Sequence, residues 1–158
     1  MEEVKIGNQT WMSKNLDIND GGEGIYINPE NGETYYTWEA AMRVAKSIEG
    51  WHLPNNDEWE TLFTAVGGTF IAGTKLKSTS GWEDNGNGSD SYGFSALAAG
   101  YRYYDGDFYS VGNYALFWSS TEDTSLYAYY WYFIYDDDEV RKEPYYKSNG
   151  FSVRLIKD

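Results

Sequence analysis

Four consecutive acids, Asp136-Asp137-Asp138-Glu139, close the stretch SLYAYYWYFIYDDDEV from Ser125 to Val140. Carboxylates at such density are candidate calcium ligands. So are the oxygen-rich runs Asp84-Asn85-Gly86-Asn87-Gly88-Ser89-Asp90 and Asp17-Ile18-Asn19-Asp20. Neither loop repeats the twelve-residue EF-hand spacing with its terminal glutamate. A solvated turn is the plainer reading of an acidic run, so no cofactor is assigned and calcium stays a secondary candidate. His52 is the single histidine, and the chain has no cysteine. One histidine makes neither a zinc cluster nor a serine triad. Lying between Trp51 and Leu53-Pro54, it reads as a structural residue at a helix entry. The absence of cysteine excludes a thiolate metal site, a disulfide scaffold and cysteine catalysis. No Walker loop or GxGxxG is present, and no spacing singles out a pair of carboxylates for hydrolysis.

The other chemically expressive residue is tyrosine. Of sixteen tyrosines, thirteen lie between Tyr92 and Tyr146. Between Leu126 and Tyr135 seven of ten residues are aromatic. Tyrosine combines a large amphipathic surface with few rotatable bonds and a hydroxyl, which makes it an economical contact residue. It also fits a half-buried pleated sheet. Alternation puts Tyr127, Tyr129, Trp131, Phe133 and Tyr135 on one face of a strand, with Ala128, Tyr130, Tyr132 and Ile134 on the other. A small sheet with one packed side cannot bury both, so one tyrosine face is expected to meet solvent or a partner.

The net charge is −13, from 12 basic and 25 acidic residues. Such a surface repels phosphate backbones and anionic membranes, which excludes nucleic-acid binding as the leading function. No apolar run approaches the roughly 20 residues that span a bilayer, so no membrane insertion is expected. Met1-Glu2-Glu3-Val4 does not begin a signal peptide.

Two helices are expected to position the front part. Thr37 is placed as N-cap before Ala41, Val44, Ala45 and Ile48, which follow one buried helical face up to Gly50. Asn55-Asn56-Asp57-Glu58 has capping-box spacing after Pro54. Trp59, Leu62, Phe63 and Val66 then form a stripe that Gly67-Gly68 ends. No helix of useful length is expected after Gly68. Short runs there read as antiparallel strands: Phe94–Ala99, Phe108–Val111, Leu116–Ser120, Ala128–Tyr135, Glu139–Lys142 and Phe151–Ile156. In the last, Phe151, Val153 and Leu155 alternate with Ser152, Arg154 and Ile156. Val4–Ile6 and Thr10–Met12 add a strand near the start. The class is α+β, a single domain over 1–158 with long loops.

In this order VKIGNQTWMSKNL, GWHLPNNDEWETL, YGFSALAAGYR, FWSSTE and GFSVRLIKD resemble the Fibrobacter succinogenes major paralogous domain. That family is similar to the formylglycine-generating, sulfatase-modifying enzymes, and both imply a C-type lectin-like fold. Two helices would flank a small twisted antiparallel sheet, with the termini close together. The formylglycine-generating enzymes work through cysteines, so that activity does not carry over. Pro29-Glu30-Asn31 and Trp82-Glu83-Asp84-Asn85 only echo the calcium motifs of sugar-binding lectins. The segment from about 101 to 158 resembles the variable region of proteins diversified by retroelements. There, adenine randomisation of AAY codons reaches Tyr, Asp, Ser, Asn, Ile and Arg, but not Trp, Lys, Glu, Gln or Met. Trp131 and Glu139 would then be framework.

The expected function is therefore non-enzymatic binding of a protein or other macromolecule, at a cell surface or outside the cell. The expected contact residues are Tyr104, Asp105, Asp107, Tyr109, Tyr127, Tyr129, Tyr130, Tyr132, Ile134, Asp136, Asp137, Asp138, Arg141, Tyr145 and Tyr146, some of which strand parity would bury. The alternative is a fixed-specificity adhesion or carbohydrate-binding module.

Overall fold

The computed structural model describes residues 1–158. Its helices start where side chains can satisfy the first free backbone N–H groups. Thr37 Oγ1 accepts from Ala40 N at 3.2 Å and opens α1 (Trp38–Lys46). Asn55 and Glu58 form a reciprocal capping box, at 2.8 and 2.9 Å, that opens α2 (Asn56–Ala65). At the other end of α2 the N–H groups of Gly67 and Gly68 return to the carbonyls of Thr64 and Phe63. With φ of 116° and 107°, these glycines close a Schellman-type stop. The first helix ends at Lys46 rather than running to Gly50, because Ser47 Oγ and N both turn back onto the Val44 carbonyl. A short helix, α3 (Ala72–Leu76), follows Gly68 and was not expected. Its five residues show no period, and burial of Ala72 and Leu76 against the rest of the core holds it.

The first strands are β1 (Glu3–Ile6), β2 (Gln9–Met12), β3 (Ile25–Ile27), β4 (Thr34–Tyr36) and β5 (Trp51–His52). Later come β6 (Tyr101–Arg102), β7 (Phe108–Tyr109), β8 (Tyr114–Glu122), β9 (Tyr127–Ile134), β10 (Asp137–Tyr146) and β11 (Ile156–Lys157). They form one four-stranded sheet in the order β1-β2-β11-β5, one three-stranded sheet in the order β10-β9-β8, and the pairs β3-β4 and β6-β7. All of these pairings are antiparallel. The architecture is α+β, and both ends of the chain lie in the four-stranded sheet, where Lys157 meets Glu3 at 3.1 Å.

Two apolar cores lie on opposite faces of β8 and β9. On one face Ala115, Phe117, Trp131 and Phe133 pack with Trp59, Leu62 and Phe63 of α2. On the other face Leu116, Trp118, Ala128 and Tyr130 pack with Ala40, Ala41 and Val44 of α1 and with Phe151. Trp118 Nε1 donates to Tyr36 O at 2.7 Å, and Trp38 Nε1 to Ser119 O at 2.9 Å, which ties α1 to this sheet. The expectation of a single packed side is thus corrected. Each face of the sheet carries a helix, so alternation along β9 does not separate inside from outside.

Two expected strands are also corrected. Phe94–Ala99 is irregular: Ser95 adopts φ 52°, and Ala96 makes only a bridge to Lys77. Phe151–Leu155 runs extended between Tyr36, Phe117 and β2 through isolated bonds, and only its end becomes β11. Every residue from Phe151 to Ile156 is buried, including Arg154. Its guanidinium donates to Asn15 Oδ1 at 2.7 Å, to Ser95 O at 2.9 Å and to Phe94 O. A buried cation satisfied by carbonyls rather than a carboxylate feels mainly desolvation, which pushes its pKa down to about 9.

A tyrosine surface as the candidate functional site

Ten tyrosines from four separated segments meet on one surface. From β6-β7 come Tyr101, Tyr103, Tyr104 and Tyr109; from β8 Tyr114; from β9 Tyr127, Tyr130 and Tyr132; from β10 Tyr145 and Tyr146. Tyr109 touches both Tyr101 and Tyr103, at 5.9 and 6.3 Å between ring centroids. Tyr103 continues to Tyr104 at 4.4 Å and to Tyr145 at 6.0 Å. Tyr146 joins Tyr104, Tyr127 and Tyr145 at 5.4, 5.1 and 5.5 Å. Tyr145 leads to Tyr130, then Tyr132, then Tyr114, at 6.1, 5.6 and 6.2 Å. Tilted and edge-on pairs dominate, the geometry that ring quadrupoles favour. Phe151 lies beneath, 4.8 Å from Tyr130 and 5.9 Å from Tyr101.

Local structure explains the assembly. Antiparallel register sets Tyr145 against Ala128 and Glu143 against Tyr130, which places Tyr145, Glu143, Tyr130 and Tyr132 on one face. The β6-β7 hairpin is laid alongside by two anchors. Arg102 exchanges backbone bonds with Gly150, at 2.9 and 2.8 Å. Gly100, at φ 65°, approaches so closely that a Cβ would sit 2.2 Å from Tyr109 O. At its tip Asp105 Oδ1 accepts from Asp107 N at 3.0 Å, and Asp105 Oδ2 accepts from Tyr109 Oη at 3.4 Å. Tyr104 and Tyr109 stand 53% and 42% exposed at the rim.

The inner part is a cleft of about 320 Å³ lined by Tyr101, Ser110, Tyr114, Leu116, Tyr130, Tyr132, Glu143 and Tyr145. Tyr130 is the deepest of its tyrosines, 7% exposed. Burial, then the Glu143 charge and neighbouring phenols, drive its pKa well above the ordinary tyrosine value. Tyr132 is raised by burial and by Glu143, with Arg141 opposing. Both phenols therefore stay neutral at any physiological pH.

Of the expected contact residues, Tyr104, Asp105, Asp107, Tyr109, Tyr127, Tyr130, Tyr132, Ile134, Tyr145 and Tyr146 come together here, Ile134 as the cross-strand partner of Tyr114. Five do not. Tyr129 points to the opposite side, with its hydroxyl 3.3 Å from Asp123 and Lys142 5.8 Å from its ring. Asp136, Asp137 and Asp138 lie in the turn of the β9-β10 hairpin, beyond Ile134. There Lys77 Nζ donates to the carbonyls of Ile134 and Asp137, and Thr74 donates to Asp138. Arg141 sits beside Tyr132 but is held by Glu139 at 2.7 Å and Asp137 at 2.9 Å. The Glu139 amide, more than Arg141, holds the Asp137 carboxyl below its usual range. The acidic run is thus a capped turn, and no group of three or more His, Asp or Glu side chains is arranged to hold a metal ion. Tyr101, Tyr103, Tyr114, Ser110 and Glu143 were missed. YRYYDGDFY carried a usable signal for the first two, since tyrosines two apart share a strand face. Glu143 gave none, because only cross-strand register brings it to Tyr130.

His52 lies elsewhere, between α2 and the end of the chain, at 2.7 Å from both Glu58 Oε2 and Asp158 Oδ1. Burial works against its charged form, but the two carboxylates outweigh it and its pKa is raised.

The family model of the Fibrobacter succinogenes major domain matches residues 4–157. No curated protein and no solved structure matches the chain.

Proposed function

The chain belongs to the Fibrobacter succinogenes major domain family, and from that premise we propose a non-enzymatic binding protein whose tyrosine surface engages a protein ligand. The observation that carries this reading is the continuity of the ten rings across four segments, with their outer members exposed. A core assembles buried aromatics, and a display surface assembles half-exposed ones. Tyrosine packing supplies the affinity, and Asp105 and Asp107 at the rim supply discrimination. The scaffold is proposed to be C-type lectin-like, related to the formylglycine-generating group. Helices on both faces of β8-β9 and the adjoining termini support that assignment. The absence of cysteine, together with a His52 already engaged by two carboxylates, supports a binding rather than a catalytic role.

We further propose that the tyrosine surface is diversified by a retroelement. Its ten tyrosines, with Asp105 and Asp107, are residue types that AAY randomisation reaches, and all lie from residue 101 on; Glu143 is not reached and would be framework. Sequencing the gene and its flanks from many cells of a source population tests this. The expected result is substitution clustered at Tyr, Asp and Asn codons of the surface, with a nearby near-copy carrying adenines there. Substitutions scattered evenly, without such a copy, would sink the proposal.

A second reading, a fixed carbohydrate-binding module, is favoured by the exposed Tyr104 and Tyr109 beside Asp105 and Asp107. This pairing can stack on a sugar ring and accept from its hydroxyls. Titration with glycans, with and without EDTA, separates the two: defined sugar affinity selects the second reading.

A further inference from the structure

Resting on the binding role just given, we propose that the cleft formed by Tyr101, Tyr114, Tyr130, Tyr132 and Tyr145 with Glu143 is a cage for a basic side chain, lysine or arginine, of the protein ligand. The cleft's volume, about 320 Å³, takes a side chain rather than a chain segment. Five of its eight lining residues are tyrosines, and none is a cation. Aromatic faces carry the negative end of the ring quadrupole and attract ammonium or guanidinium groups, most strongly where water is displaced.

Two polar groups point to a ligand rather than to packing. Tyr130 is 7% exposed, and its hydroxyl makes no hydrogen bond to the protein but stays open to the solvent of the cleft. The structural tyrosines behave otherwise, since Tyr35 Oη donates to Ala99 O at 2.6 Å and Tyr36 Oη to Ile18 O at 2.7 Å. Glu143 lies opposite Tyr130 across the strands and has no ion-pair partner. The neighbouring cations are committed, Arg141 to Asp137 and Glu139, and Lys142 to Glu60. An unpaired carboxylate across the strands from a phenol whose hydroxyl has no protein partner leaves acceptors for the N–H groups of a cation in the cleft. The net charge of −13 draws basic partners toward the surface.

The full chain, carrying ¹³C-labelled tyrosine, is titrated with three probes: N-acetyl-lysine-N-methylamide, the arginine equivalent and the neutral norleucine equivalent. The ring resonances of Tyr114, Tyr130 and Tyr132 are expected to shift with the two cationic probes. Binding should be at least about five-fold tighter than for norleucine, as an added cation–π contact implies. Glu143 is exposed, so Glu143→Gln folds and is expected to lose most of that preference. Equal response to all three probes overturns the cage but leaves an apolar binding cleft, and so leaves the binding role standing. No response at these rings to any probe overturns the cage outright. Retention of the full cation preference in Glu143→Gln removes the carboxylate from the proposal and overturns it as stated.

Discussion

Single side chains already divide between scaffold and surface. His52 is the clearest scaffold case. Its raised folded pKa means that the two carboxylate contacts contribute stability fully below the unfolded value of about 6.5. That contribution is lost as pH rises through the folded value. The ring is partly exposed, which limits the size of the effect. Urea midpoints are expected to fall between pH 6 and pH 8 in the parent, and to fall less in His52→Gln. Arg154 is a second case. Replacing it with Met strips the partner from the Phe94 and Ser95 carbonyls and from Asn15 in a fully buried site. The expected cost is about 3 kcal/mol, because unpaired buried acceptors carry their desolvation penalty; urea unfolding measures it.

Among the elements, the β6-β7 hairpin has the least support of its own, with two residues in each strand. Its position depends on Gly100, where both a left-handed backbone and contact with the Tyr109 carbonyl exclude a side chain. Gly100→Ala is expected to displace the hairpin. Ring resonances of Tyr101 and Tyr109 should move while those of Tyr35 and Tyr36 stay in place. Helix α2 contrasts with it, since its capping box is local. Asn55→Ala is expected to cost about 1 kcal/mol, read from urea unfolding, without disturbing the tyrosine surface. β10 shows how an element tolerates an apparent breaker. Pro144 sits on the outer strand of the β10-β9-β8 sheet, where a missing N–H costs no ladder bond to a further strand.

Over the whole molecule, two helices hold a sheet that carries the rings along its length, from Tyr127 and Tyr146 at one end to Tyr114 at the other. Removing an exposed ring should cost binding and leave folding intact. Tyr104→Ala is therefore expected to keep the parent's urea midpoint. Tyr130→Ala, which empties a buried ring site against Phe151, is expected to lose about 3 kcal/mol. Comparable losses at both positions would mean that the tyrosines are all scaffold. The acids divide in the same way. Asp105 and Asp107 edge the surface, whereas Asp136 to Asp138 form the β9-β10 turn, where Lys77 and Thr74 hold Asp137 and Asp138.

Both helix starts, the stop at Gly67-Gly68, the β8 and β9 strands and the α+β class were legible in the sequence. Each is decided by bonds between near neighbours or by the composition of a short run. Thr37 reaches Ala40, Asn55 reaches Glu58, and the aromatic run is too rich in β-formers to be a helix. The site was legible as a composition, but its membership was not. Alternation sorts a strand into faces only if one face is solvent, and β9 is covered on both. The cleft gathers residues 101, 114, 130 and 145, whose meeting depends on cross-strand register and on a glycine contact. Those are long-range contacts, set only once the two cores close around the sheet.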